Sequence, residues 1–172
     1  MKTGMILVAL LCSLALASAQ SYIANLDGAQ DGGGSRQGTG HVDLFLNGTT
    51  LSLNGSYSGL TTPSTLSHIH GPGAPGQSVG VLYNLGTTGV VPIGVTGGTI
   101  NGSVNLAAIG SYTLAQQMND LNTGLWYVNI HDSTFPGGEI RGQILPVPEP
   151  STWALMGFGA LGMLWSLRRR KS

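Results

Sequence analysis

Two apolar runs frame this chain and confine whatever folds to the stretch between them. The first, Met5–Leu16, follows Lys2 and runs into Ala17-Ser18-Ala19; the second, Trp153–Leu167, runs into Arg168-Arg169-Arg170-Lys171. A basic start, an apolar stretch of about 12 residues and a small-x-small site describe a secretory signal peptide over residues 1–19, with cleavage expected after Ala19. About 12 apolar residues are too few to span a bilayer. The only cysteine, Cys12, lies inside that leader. The mature protein is therefore expected to have no disulfide and no catalytic thiol. Between the ends, Gln20–Val147 sets Arg36 and Arg141 against Asp27, Asp31, Asp43, Asp120, Asp132 and Glu139. That mildly acidic balance offers no basic stripe for phosphates and argues against nucleic acid as a partner. Roughly 128 residues suit one domain.

The middle reads as all-β. Short alternating or β-branched runs recur between turn signals, giving candidate strands at Ser21–Leu26, Gly40–Leu46, Thr50–Tyr57, Thr65–His70, Val79–Asn84, Thr99–Leu106, Leu125–His131 and Glu139–Leu145. Val42, Leu44 and Leu46 share one face, and Phe45 falls on the polar side. Asn47-Gly48, Asn54-Gly55, Pro72-Gly73, Pro75-Gly76, Gly97-Gly98 and Pro136-Gly137-Gly138 mark expected turns. The Asn-Gly-Thr and Asn-Gly-Ser triplets at 47, 54 and 101 read as turn chemistry rather than glycosylation sites. Thr113–Asn122 breaks the rhythm: Leu114, Met118 and Leu121 have helical spacing, Ser111 or Thr113 is a candidate N-cap, and Gly124 is a stop. Eight strands and one short connecting helix suggest a sandwich or partly closed barrel. The glycine-rich Asp31–Gly40 stretch reads as a flexible loop.

The domain has four histidines, His41, His68, His70 and His131. In a strand, His68 and His70 project from one face about 6.6–7 Å apart at the Cα, a spacing from which two imidazoles can converge on one ion. His131 ends another candidate strand and joins them if the strands are neighbours. Against this stands the blander reading, in which the histidines hydrogen-bond backbone carbonyls and fix loops. Alternation places His41 beside Asp43, exposed, and makes it the least certain fourth ligand. Glu139 and Arg141, two apart on one strand, read as a structural ion pair holding the 132–138 loop. Asp132 with Glu139 is the nearest carboxylate pair for glycosidase chemistry, and the structural role is the stronger reading. Trp126 and Tyr127 point to opposite strand faces, one expected in the core and one at the surface. The chain has no His-Glu-x-x-His helix and no phosphate loop. A non-enzymatic module is therefore the expectation.

Two resemblances add to this. His68-Ile69-His70-Gly71-Pro72-Gly73, Tyr127-Val128-Asn129-Ile130-His131 and Pro136-Gly137-Gly138-Glu139-Ile140-Arg141-Gly142-Gln143, with the opening Leu26-Asp27-Gly28-Ala29-Gln30 and Gly38–Leu46, resemble a CHRD domain, the module named after chordin. The likeness covers about Tyr22–Leu145 and sets the domain at 20–146. The Asp31–Gly34 loop departs from the family, which often has Glu and prolines there. The resemblance implies an immunoglobulin-like or superoxide-dismutase-like antiparallel β-sandwich and no established chemistry. Copper/zinc dismutases also place a His-x-His pair and a later histidine on a sandwich; by that analogy His68, His70 and His131, with His41 as a fourth candidate, would hold copper or zinc. Fold analogy is weak warrant for function, and the second histidine–aspartate cluster of a dismutase has no counterpart in the sequence.

The tail, residues 147–172, resembles a PEP-CTERM sorting signal: Pro148-Glu149-Pro150, then the apolar segment 153–167, then the arginines. Fifteen helical residues rise only about 23 Å, short of a ~30 Å hydrocarbon core, so tilt and flanking residues would be needed to span it. The resemblance implies a Gram-negative-type bacterium, the secretion machinery and an exosortase as partners, and cleavage near Pro148–Pro150. It also implies a transient inner-membrane anchor and delivery to the cell surface, outer membrane or medium, with surface polysaccharide or matrix as the surroundings.

Overall fold

The computed structural model describes residues 19–148. The predicted leader (residues 1–18 of it), Glu149, Pro150 and the apolar segment 153–167 lie outside the described residues. Nine strands and one helix follow in the order β1 (Gln20–Asp27), β2 (Thr39–Asn47), β3 (Thr50–Ser58), β4 (Ser64–His70), β5 (Val81–Asn84), β6 (Gly98–Asn105), α1 (Leu114–Asn122), β7 (Tyr127–Asp132), β8 (Ile140–Gln143) and β9 (Leu145–Pro146). Every pairing is antiparallel, in the order β5-β4-β7-β8-β1-β2-β3-β6, with β9 also on β1. β1 and β8 meet at a single pair, Asp27 with Arg141. The result is an all-β, nearly closed antiparallel sandwich with one short helix.

The inner faces follow the two-residue period of a strand. Tyr22, Ala24 and Leu26 on β1, Val42, Leu44 and Leu46 on β2, and Leu51, Leu53 and Tyr57 on β3 are buried against Ile69, Trp126, Val128, Ile130 and Ile140. Each fully buried aliphatic or aromatic side chain contributes about 1.5–3 kcal/mol. Phe45 points outward and is 45% exposed, as its place in the alternation dictates.

Three local expectations change. Asn54-Gly55 is not a turn but the interior of β3, where Gly55 lies against β2; a Cβ there would stand 2.0 Å from the His41 carbonyl oxygen. The Asp31–Gly40 stretch is tied down: Asp31 and Gly38 are buried, and Arg36 donates from Nε to the Gly138 carbonyl at 3.0 Å while lying over the Phe135 ring. Trp126 and Tyr127 are both buried, because the outer face of β7 is covered as fully as its inner face. The helix forms where its spacing places it. Thr113 caps it in a reciprocal box with Gln116, and Leu121 is buried. Among the described residues, no helix is long and apolar enough to cross a membrane.

Candidate metal centre

The outer face of β4, β7 and β8 is a buried polar layer rather than a solvated one. His68 and His70 on β4 stand opposite Asn129 and Tyr127 on β7, which stand opposite Arg141 and Gln143 on β8. All seven layer side chains, His131 included, are at least nine-tenths buried, as is Asp31 from the loop after β1. Three connections cover them: the loop after β1, the segment after His70 and the 133–138 turn. Gly71 lets the second of these leave the strand, since a Cβ there would stand 2.4 Å from the Trp126 indole.

Within this layer His68, His70 and His131 converge, with one ligand nitrogen from each lying within 4.8 Å of the others. His70 Nδ1 is 2.9 Å from the Val79 carbonyl oxygen, and His131 Nδ1 is 3.0 Å from that of Pro136. A carbonyl can only accept, so each Nδ1 carries the proton and each Nε2 keeps its lone pair. Fixing a ring in this way is what the outer partners of a metal-bound histidine do. His131 Nε2 lies 3.2 Å from His68 Nδ1, and His70 Nε2 is buried with no hydrogen-bond partner. Two nitrogens on a tetrahedral ion at 2.0–2.1 Å stand about 3.3 Å apart. The His68–His131 pair already has that separation. The His70 ring stacks on Tyr127 at 4.9 Å, with one of its nitrogens within 4.8 Å of the other two ligand atoms.

The electrostatics keep the rings neutral. Burial, then the neighbouring His131 and His70, lowers the His68 pKa to about 4. Burial likewise pulls His70 and His131 below the ordinary imidazole value, although their carbonyl partners work against it. Three neutral imidazoles offer three lone pairs at neutral pH, a donor set suited to copper or zinc.

His41 lies apart from this cluster. It is exposed on β2, 2.8 Å from Asn25 Oδ1 through Nδ1 and 3.3 Å from Asp43 through Nε2. Glu139 and Arg141 do not form the expected ion pair. Two residues apart along a strand they are separated by about 6.6–7 Å at the Cα, and each finds a nearer partner. Arg141 pairs with Asp31 at 3.3 Å, donates to the Gln30 and Gln77 carbonyls, and lies over Tyr127; Gly138 is held by Arg36 instead. Glu139 accepts from Thr61 N at 2.9 Å and Thr61 Oγ1 at 2.8 Å. Asp132, beside it, accepts from Thr62 Oγ1, Thr62 N and Phe135 N. Burial pushes the Asp132 carboxyl up, but these bonds outweigh it and hold the group below the usual carboxylate range. Asp132 and Glu139 fasten the 61–62 corner.

Asp31, Tyr127, Asn129 and Gln143 are members of the layer that sequence reading did not assign. Their signal was the alternation Tyr127, Asn129, His131 and Arg141, Gln143, which becomes a buried polar face only if loops cover it.

The sequence model of the CHRD domain matches residues 22–144. The chain belongs to the CHRD-domain family. The PEP-CTERM protein-sorting motif matches residues 146–170, directly after the CHRD domain, and marks an exported, exosortase-sorted protein of the cell surface. No curated protein and no solved structure gives a match. The three converging histidines thus lie in the CHRD domain itself, with Pro148 of the sorting motif exposed just beyond β9.

Proposed function

We propose that this CHRD protein is a non-enzymatic binding module of the cell surface or surrounding matrix that holds a transition-metal ion, copper or zinc, on His68, His70 and His131. One observation carries the reading: the Nδ1 atoms of His70 and His131 are tied to the Val79 and Pro136 carbonyls, which leaves each Nε2 with its lone pair, and one nitrogen from each ring lies within 4.8 Å of one from His68. Histidines that served only to fix loops would not need to converge. Binding moves the His68 proton from Nδ1 to Nε2, so that all three rings present a lone pair. The module would pass through an inner-membrane anchored stage before exosortase cleavage and end at the outer membrane or in the medium. The test is metal analysis and calorimetry on the exported protein, recovered without a polyhistidine tag. About one equivalent of zinc or copper is expected, lost in His68→Ala and His131→Ala. Metal-free protein that takes up neither ion removes the reading.

The outer face of β1, β2, β3 and β6 favours a second role, contact with surface polysaccharide. There Phe45 stands exposed in an open groove of about 690 Å³ with Ser52, Asn54, Asn101 and Ser103. An apolar ring beside amide and hydroxyl groups suits a sugar ring. Retention of the protein on cell-surface polysaccharide, weakened in Phe45→Ser, is the expected result; equal retention of both proteins would remove this role.

A further inference from the structure

The polar layer contains a carboxylate that is only half used. Asp31 is 9% exposed; its Oδ1 meets Arg141 Nη2 at 3.3 Å, while its Oδ2 is buried with no partner. Asn129 Oδ1, in the same layer, is also unpartnered. Both side chains crowd over Gly138: a Cβ built there would stand 1.8 Å from Asp31 Oδ2 and 2.5 Å from the Asn129 amide. Asn129 lies across the ladder from His68 and two residues before His131. Asp31 is not among the converging ligands, but its charge acts on His70 and His131.

From this placement we infer that Asp31 is the counter-charge of the histidine site, a positioning residue that tunes three neutral imidazoles to a divalent rather than a monovalent cation. The inference rests on the metal reading above and names the ion class. Three imidazoles add no negative charge, and burial makes an uncompensated dication costly. The charged groups facing the site are Asp31 and Arg141; Asp132 and Glu139 are turned to Thr61 and Thr62. The Asp31 charge favours positive charge at both His131 and His70, and at His70 the Arg141 charge opposes it. Attraction to a fixed charge scales with the charge of the ion. Removing Asp31 therefore costs a dication about twice the free energy it costs a monocation.

The experiment measures Zn²⁺ and Ag⁺ affinities of the exported protein and two variants. Loss of a partner in the outer shell typically lowers metal affinity about 10–100-fold. Asp31→Asn is thus expected to lose ~10–100-fold for Zn²⁺ and only the square root of that, ~3–10-fold, for Ag⁺. Arg141→Gln leaves Asp31 unopposed and is expected to tighten Zn²⁺ binding; this opposite sign tests the idea even if Asp31→Asn does not fold. Equal losses for the two ions, no loss, or weaker Zn²⁺ binding in Arg141→Gln would show a merely structural role and overturn the inference. Wild-type protein that binds neither ion overturns the metal reading as well. Wild-type binding with an unchanged Asp31→Asn overturns this inference alone.

Discussion

Acidification of the metal-free protein is the perturbation that reads the histidine layer most directly. The His68 pKa falls from 6.5 unfolded to about 4 folded. Above pH 6.5 the ring is neutral in both states and contributes no pH dependence. As pH falls below 6.5 the unfolded chain takes up a proton that the folded protein refuses, so stability drops until about pH 4, where both states are charged. A gap of that size corresponds to about 3 kcal/mol at most. Access of solvent to the rim of the layer reduces this to roughly 2 kcal/mol. The lowered values of His70 and His131 add to the loss in the same direction. Urea unfolding in the presence of a chelator, from pH 7.5 to 4.5, measures it. His68→Gln, which cannot titrate, should show a shallower decline than the wild type by about that amount. Parallel curves for the two proteins would refute the argument, because they would mean that His68 titrates alike in the folded and unfolded chains.

Other outcomes follow from the same geometry. Gly138→Ala, at φ 132° and against Asp31 and Asn129, should destabilise by about 2–4 kcal/mol, from backbone strain together with displaced polar partners, as read by its denaturation midpoint. Asp132→Asn should cost about 1–3 kcal/mol at pH 7 through the Thr62 and Phe135 bonds. Because the folded Asp132 carboxyl titrates below its ordinary value, that difference from wild type should shrink as pH falls below about 4, in the same urea assay. Relative to a chain ending at Pro148, one ending after Ile144 lacks β9 and the Val147 N to Ser21 O bond of 2.9 Å, and should be less stable by about 1–3 kcal/mol.

How far the sequence could be read depends on whether a residue's neighbour is local. Val42, Leu44 and Leu46 declare their face within one strand, and Thr113 declares its cap three residues from Gln116; both act over a few positions. The family likeness and the His-x-His spacing are local too. Asn54-Gly55 misled because a turn dipeptide and a close strand crossing both call for glycine, and only the position of β2 separates them. Arg141 misled because its partner, Asp31, is 110 positions away in sequence and lies in a glycine-rich loop that looked flexible. Tyr127 was half-read: alternation places it opposite Trp126, but only the covering loops bury it. The convergence of His131 with His68 depended on β4 and β7 being neighbours, a fact of topology rather than of spacing.

That dependence on topology bears on why the layer exists. Among the described residues, four buried side-chain atoms lack a hydrogen-bond partner, and three of them, on Asp31, His70 and Asn129, lie in this one layer. Each such atom costs about 1–3 kcal/mol. Apolar residues at these positions would remove the penalty and pack a β-sheet face well. The expected mature protein has no disulfide to offset it. The cost is also concentrated: Gln117, buried on α1, is fully bonded to Ala107, Tyr112 and Tyr83, so the fold satisfies its interior polar groups elsewhere. A local departure of this kind from the rules that stabilise the rest of a protein is what a functional site leaves behind. A cation drawing on the His70 lone pair, with the Asp31 charge nearby, would turn two of those three penalties into binding energy.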